Sequence, residues 1–201
     1  MTPPVHTLDV RALPELTFGH RSVQRWAILC LLAIEGSVFA LAIAAYFYLR
    51  TRVDPWPTSA NAPGLLWGTL NLVILLASLV PAWKTKHVAE QMDLRALRKE
   101  MWVDIPFAVA FLVVRVFEFG TLHVRWDSNA YGSIVWVLLG LHTVHLLTDL
   151  IDSVVLLVLL YMHPVGPRRF LDAAENGFYW DFVVISWIPI YLVIYWAPRL
   201  L

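Results

Sequence analysis

In this chain of 201 residues, 59% are hydrophobic and only 15% charged, a composition too apolar for a soluble globular domain. Fifteen Lys and Arg balance fifteen Asp and Glu, so no net positive charge points to a nucleic-acid partner. One cysteine, Cys30, excludes an intrachain disulfide framework and any cysteine-rich metal or iron–sulfur centre, and reads as a small apolar filler. What remains is a membrane protein with several spans.

Residues 1–25 form a polar leader punctuated by Pro3, Pro4 and Pro14, expected to be irregular and solvent-facing. The leader lacks the apolar core of a signal peptide, so the first span is expected to act as its own uncleaved insertion signal. Five apolar segments follow, at about 26–49, 65–83, 105–122, 131–162 and 178–197. Crossing the hydrocarbon core takes about 20 residues, and the fourth segment is long enough to tilt or project beyond it. None shows the period-2 alternation of a membrane barrel. The expected fold is all-α, an integral membrane bundle of five transmembrane helices.

Between the spans, Lys84–Asp104 is expected to be a charged, partly helical loop on the cytoplasmic surface. Asp54-Pro55-Trp56-Pro57 gives the first outer loop a turn-rich course. Pro106 falls in the first turn of the third span, where its missing N–H costs little, and Pro189 should kink the fifth. No internal repeat of the inverted-transporter type is visible. Ten basic residues lie on one side: Arg11, Arg21 and Arg25, five between Lys84 and Lys99, and Arg168 and Arg169. Only Arg50, Arg52, Arg125 and Arg199 lie on the other, and Arg115 is inside a span. The positive-inside rule therefore predicts a cytoplasmic N-terminus and an outer C-terminus. Trp26, Trp67, Trp83, Trp102, Trp126, Trp180 and Trp196, all near span ends, are expected to form an interfacial belt.

Ionisable groups within apolar segments must be neutral or paired, because a charge at mid-bilayer costs at least ~2.5 kcal/mol. Glu35 lies about 13 Å into the first span from Trp26, beside a groove of Gly36, Ala40 and Ala44 suited to close helix contact. Two readings are open for it, a lipid-headgroup or proton-handling carboxyl and a protonated acid bonded to a neighbouring helix. Arg115 and Glu118, at i and i+3, are expected to pair and lock two helices together. Asn71 and Ser78 are interhelical hydrogen-bond candidates, and Asp181 is expected to be solvated at the cytoplasmic interface. His142, His145, Asp149 and Asp152 run at i, i+3, i+7 and i+10 and should form one polar stripe on the fourth helix.

Two histidines on one helix face cannot clamp one haem iron from both sides. The remaining histidines, His6, His20, His87, His123 and His163, lie in loops or at span ends, a poor depth match for His142. No Glu-x-x-His or His-Glu-x-x-His motif supports zinc or di-iron binding. A buried hydrogen-bonded seam is therefore expected for the stripe, with no metal held there.

Taken as whole segments, the chain resembles subunit III of the haem-copper oxidases, the cytochrome c and quinol oxidase superfamily, over the last five of that subunit's usual seven spans. AIEGSVFALAIAAYFYLR is similar to the family's glutamate-bearing helix, and VFEFGTLH to its aromatic-Glu-aromatic element around Glu118. DSNAYGSIVWVLLGLHTVH keeps the YGS-type start, Gly140 and a Gly-x-His-x-x-His pattern. FYWDFVVISW resembles the family's closing YWHFVDVVW, with Tyr179, Trp180, Phe182, Val183 and Trp187 in register. Asp181 stands where the family usually has histidine, Val184 where it has aspartate, and Thr143 where it has glycine.

The resemblance implies a non-catalytic accessory subunit of a respiratory terminal oxidase in a bacterial-type inner membrane. Haem and copper would reside in partner subunits, above all the haem-bearing subunit I. It also implies a bound phospholipid at Glu35, in a cleft whose second wall, the family's first two spans, would come from another chain. Glu35, Arg115, Glu118, His142, His145, Asp149 and Asp152 are the lipid-binding or proton-handling candidates. Rival readings are the matching subunit of a nitric oxide reductase, a stand-alone membrane haem or metal protein, and a transporter with a polar pathway through these residues.

Overall fold

A computed structural model describes residues 17–19, 22–57, 62–162 and 165–200; His6, His20, His163 and most of the leader lie outside them. The helices are α1 (Val23–Arg50), α2 (Leu65–Glu90), α3 (Leu94–Gly120), α4 (Ala130–Tyr161) and α5 (Arg168–Tyr191). A π-helical turn, Leu192–Trp196, and a short α6, Ala197–Leu200, continue α5. There is no strand among the described residues. Each of the five expected segments lies, to within two residues at its ends, in one long helix. Four are long and apolar enough to cross a membrane: α1, α2, α4 and the continuous Arg168–Leu200. The exception is α3, which carries Asp104, Arg115 and Glu118 along its otherwise apolar half.

Several boundaries differ from those expected, because charged residues extend helices instead of ending them. The leader's last residues are helical, with Ser22 Oγ accepting the Arg25 N–H at the start of α1. The segment 84–104, expected to be only partly helical, is helical except for a short turn. α2 runs to Glu90 and α3 starts at Leu94, so only Gln91, Met92 and Asp93 connect them. Met92 makes the reversal in a left-handed conformation (φ 56°), and Asp93 Oδ1 caps α3 by accepting from Arg95 N (2.9 Å) and Ala96 N (3.1 Å). Pro106 consequently sits inside α3, not in a first turn. Pro189 does not end α5; its missing N–H is followed by the wide π turn, which absorbs the irregularity. Asn129 Oδ1 caps α4 through Gly132 N (2.7 Å).

α2 packs along α3 and α5, α4 packs against α3 and α5, and α1 lies outside on α4 and α5. Leu75, Phe111, Leu138, Leu139, Val183 and Trp187 form the centre of the main core. A smaller cluster around Leu97, Met101, Leu160 and Phe170 fills the end near the α2–α3 turn. α1 buries only Phe39 and Tyr46. Its small residues do not form the expected contact groove: Gly36 approaches Phe182, but Ala40 and Ala44 are exposed, as is Cys30. Trp26, Trp83, Trp102 and Trp126 are exposed as an interfacial belt requires. Trp180 is not part of it; it is buried and donates its Nε1–H to Ser78 Oγ (2.9 Å).

Candidate functional site: a buried charge cluster and an acidic cleft

At the centre of the bundle Arg115 and Glu118 are each 1% exposed, with Nη1 2.9 Å from Oε2. That approach is off the N–H direction, so the contact is chiefly ionic. A buried pair survives best where further groups satisfy it, and here the carboxylate is fully bonded while Arg115 Nε and Nη1 have no hydrogen-bond partner. Asn71 of α2 donates to Glu118 Oε2 (2.6 Å), and the Tyr195 hydroxyl, from the π turn, donates to Oε1. The Arg115 guanidinium lies over the Trp187 ring at 4.0 Å and the Phe111 ring at 4.6 Å. Its Nη2 faces His142 Nδ1 at 3.4 Å, while His142 Nε2 is 3.0 Å from the Val183 carbonyl. His142 therefore donates from Nε2 and accepts at Nδ1, so neither nitrogen is free for a metal. The expected lock between two helices instead joins four, α2 to α5.

The expected single stripe on α4 divides in two. Residues seven apart drift only about 20° around a helix, whereas residues three apart diverge by about 60°. His142 and Asp149 accordingly point inward, at 0% and 3% exposure. His145 and Asp152 turn toward α1 and the surface, with Asp152 exposed. The His145 ring packs on Phe39, centroids 4.9 Å apart, and its Nδ1 donates to the Leu141 carbonyl (2.6 Å). Its Nε2 is 3.7 Å from Glu35 Oε2, beyond direct hydrogen-bond reach, and that oxygen has no protein partner. The seam thus holds for His142, while Asp149 Oδ1 and Glu35 Oε2 are left unsatisfied.

Glu35, Asp149 and Asp152 meet again in a cleft of about 420 Å³ between α1, α4 and α5, with Asp172, Glu175 and Tyr179. Its apolar wall comes from Ile28, Leu31, Val155 and Leu159. Arg25 pairs with Glu175 at 3.1 Å and lies over Phe178, and Gln24 donates to Asp172, tying α1 to α5 at the same end. Asp181 is not simply solvated: it pairs with Lys86 of α2.

Tyr195, Trp187, Tyr179 and Glu175 were not recognisable as site residues from sequence. Tyr195 and Trp187 sit in an apolar run, and the π turn at Leu192–Trp196 shifts the register of the face on which Tyr195 lies. Glu175 precedes the apolar segment and reads as loop. Among the described residues no three of His, Cys, Asp and Glu converge as a metal site would require.

The fold and site define a helical membrane protein of several spans, with its central charges paired to each other and an acid-lined cleft on one flank. Residues 17–198 match the family model for cytochrome c oxidase subunit III, and the chain belongs to that family. Similar curated proteins include cytochrome c oxidase subunit 3 of Thermostichus vulcanus, 25% identical over 90% of each chain. The Synechocystis subunit 3 is 26% identical over 88% of this chain and 77% of its own length. A probable subunit 3 of Mycobacterium tuberculosis is 28% identical over 82% and 83%.

Proposed function

We propose that the chain is a non-catalytic accessory subunit of a respiratory haem-copper oxidase, bound to a haem-bearing subunit I in a bacterial-type plasma membrane. The family match over residues 17–198 carries this reading. Haem and copper belong to the partner subunits; this chain contributes packing surface, a lipid site and support for proton uptake. In this reading α3 is the fifth span, because Asn71, Tyr195 and His142 offset the cost of placing Arg115 and Glu118 within the bilayer. The N-terminus is cytoplasmic and the C-terminus periplasmic. Arg25, Lys86, Arg98 and Arg169 gather at the end that holds the α2–α3 turn, which supports that orientation.

The cleft beside Glu35 suits a phospholipid: an apolar trough for acyl chains leads to a carboxylate-rich end, which favours an amine-bearing headgroup. The outward face of α1, with Ile34, Val38 and Leu41 exposed, would then meet lipid or a neighbouring subunit. Purification of the full chain from its own membrane, with mass spectrometry and optical spectra of what accompanies it, tests the reading. A haem-bearing large subunit should co-purify and consume oxygen. Recovery of the chain at native levels without any haem protein would overturn it. Co-purification with nitric oxide reductase activity would replace the oxidase with its relative.

A further inference from the structure

The two apolar clusters are separated by a polar gap. A cavity with about 30 Å³ of room for water lies there, walled by α2, α3, α4 and α5. Asp104 and Asp149 both line it, and Asp104 Oδ1 and Asp149 Oδ1 are both buried without a protein hydrogen-bond partner. The other polar groups of the lining are engaged. The Thr85 hydroxyl donates to Asp104 Oδ2, Asn176 donates to Ser153 Oγ (2.8 Å), and Ser78 Oγ receives Trp180. A water needs roughly 10–15 Å³ measured this way, so about two fit, with the two free carboxylate oxygens as acceptors.

No cation lines the cavity, and the nearby ones are committed elsewhere. Lys86 is paired with Asp181, Arg25 with Glu175 and Arg169 with Asp172. The remaining titratable neighbours add no positive charge next to the pair: Glu100 on α3, Asp152 on α4, Glu35 on α1 beside His145, and Tyr179 on α5. Two carboxylates sharing a small buried cavity without a counter-ion cannot both stay ionised.

We propose that Asp104 and Asp149 form a proton-binding site, holding one exchangeable proton between them through bridging water. The proton arrives as hydronium and leaves a water molecule behind, so charge and atoms balance. Asp149 also lines the cleft between α1, α4 and α5, which places it between that opening and the interior. The inference rests on this cavity and needs no oxidase partner, so its failure would leave the subunit assignment untouched.

Infrared spectroscopy of the full chain, purified with its partners, tests it. Chains carrying ¹³C-labelled aspartate should show a protonated-carboxyl C=O band that shifts with the label and with exchange into D₂O. Asp149→Asn should remove the band. Asp104→Asn should lower its titration midpoint by about one pH unit or more, since the coupled partner is gone. Asp149→Glu should keep a protonated carboxyl whose band no longer shifts with the aspartate label, which controls for misfolding. Absence of a protonated aspartate band in the unaltered chain overturns the proposal. So does a midpoint unchanged by Asp104→Asn. A midpoint that moves when Na⁺ replaces K⁺ at constant ionic strength overturns it in favour of a metal-cation site.

Discussion

Arg115 and Glu118 are stabilised by groups on three other helices, and that sharing sets what each substitution should do. Arg115→Ala leaves Glu118 buried beside only Asn71 and Tyr195. Breaking a buried pair from one side costs about 3–5 kcal/mol, so thermal unfolding in detergent should shift sharply downward. Removing both charges, as in Arg115→Met with Glu118→Met, should recover only part of that loss, because no charge is left unpaired but Asn71 and Tyr195 lose their buried acceptor. Equal stability of the single variant and the parent would remove the cluster from any structural role. Gly68 reports on the same cluster from a distance. A Cβ there would lie 2.4 Å from the Tyr195 ring, so Gly68→Ala should displace that ring and its bond to Glu118, costing about 1–3 kcal/mol. Of this cluster, the Arg115–Glu118 pairing was legible from i, i+3 spacing and Asn71 from its polarity. Tyr195 was not, since one tyrosine in an apolar run carries no signal of which way it faces.

α2 and α3 form a hairpin whose three-residue turn was invisible in the sequence. Lys84, Lys86, Arg95, Arg98 and Lys99 read as a loop because they are charged, yet they extend the two helices past the apolar stretch. Arg98 donates to the Leu160 carbonyl and Lys86 pairs with Asp181, so these charges fasten helix ends instead of loosening them. The cap makes this testable. Asp93→Ala removes the acceptor for two backbone N–H groups and should cost about 1 kcal/mol, while Asp93→Asn should cost much less. Of the five long helices, α1 buries the fewest side chains, Phe39 and Tyr46. Phe39, 4% exposed, packs on the rings of His142, His145 and Phe182. Phe39→Ala should therefore cost about 3–5 kcal/mol, expressed as faster hydrogen exchange in α1 than in α2 and α3. Uniform acceleration across all helices would show that α1 is not a separate unit.

For the molecule as a whole, the length of the apolar runs located five helices, because long apolar runs without strand alternation can only be helical in a membrane. It could not say how faces pair, and the aspartates of α4 illustrate why. Four polar residues on one helix look like one stripe in projection, but the bundle places Asp149 inside and Asp152 at an opening. Asp104, the partner of Asp149 across the cavity, lay in what read as loop. The orientation can be checked by labelling in intact cells after Cys30→Ser. A cysteine at Asp127 should react with a membrane-impermeant maleimide, and one at Gln91 only after permeabilisation. The reverse pattern would invert the topology.

Glu118 collects its partners from distant parts of the chain: Asn71 lies 47 residues before it and Tyr195 77 residues after. At about 5–20 residues per second of synthesis, Tyr195 emerges roughly 4–15 s later than Glu118. During that interval α3 must exist with its central carboxylate only partly bonded. The final long helix thus serves as a clasp on a helix made well before it, and a slowed or interrupted translation would leave α3 exposed to quality control.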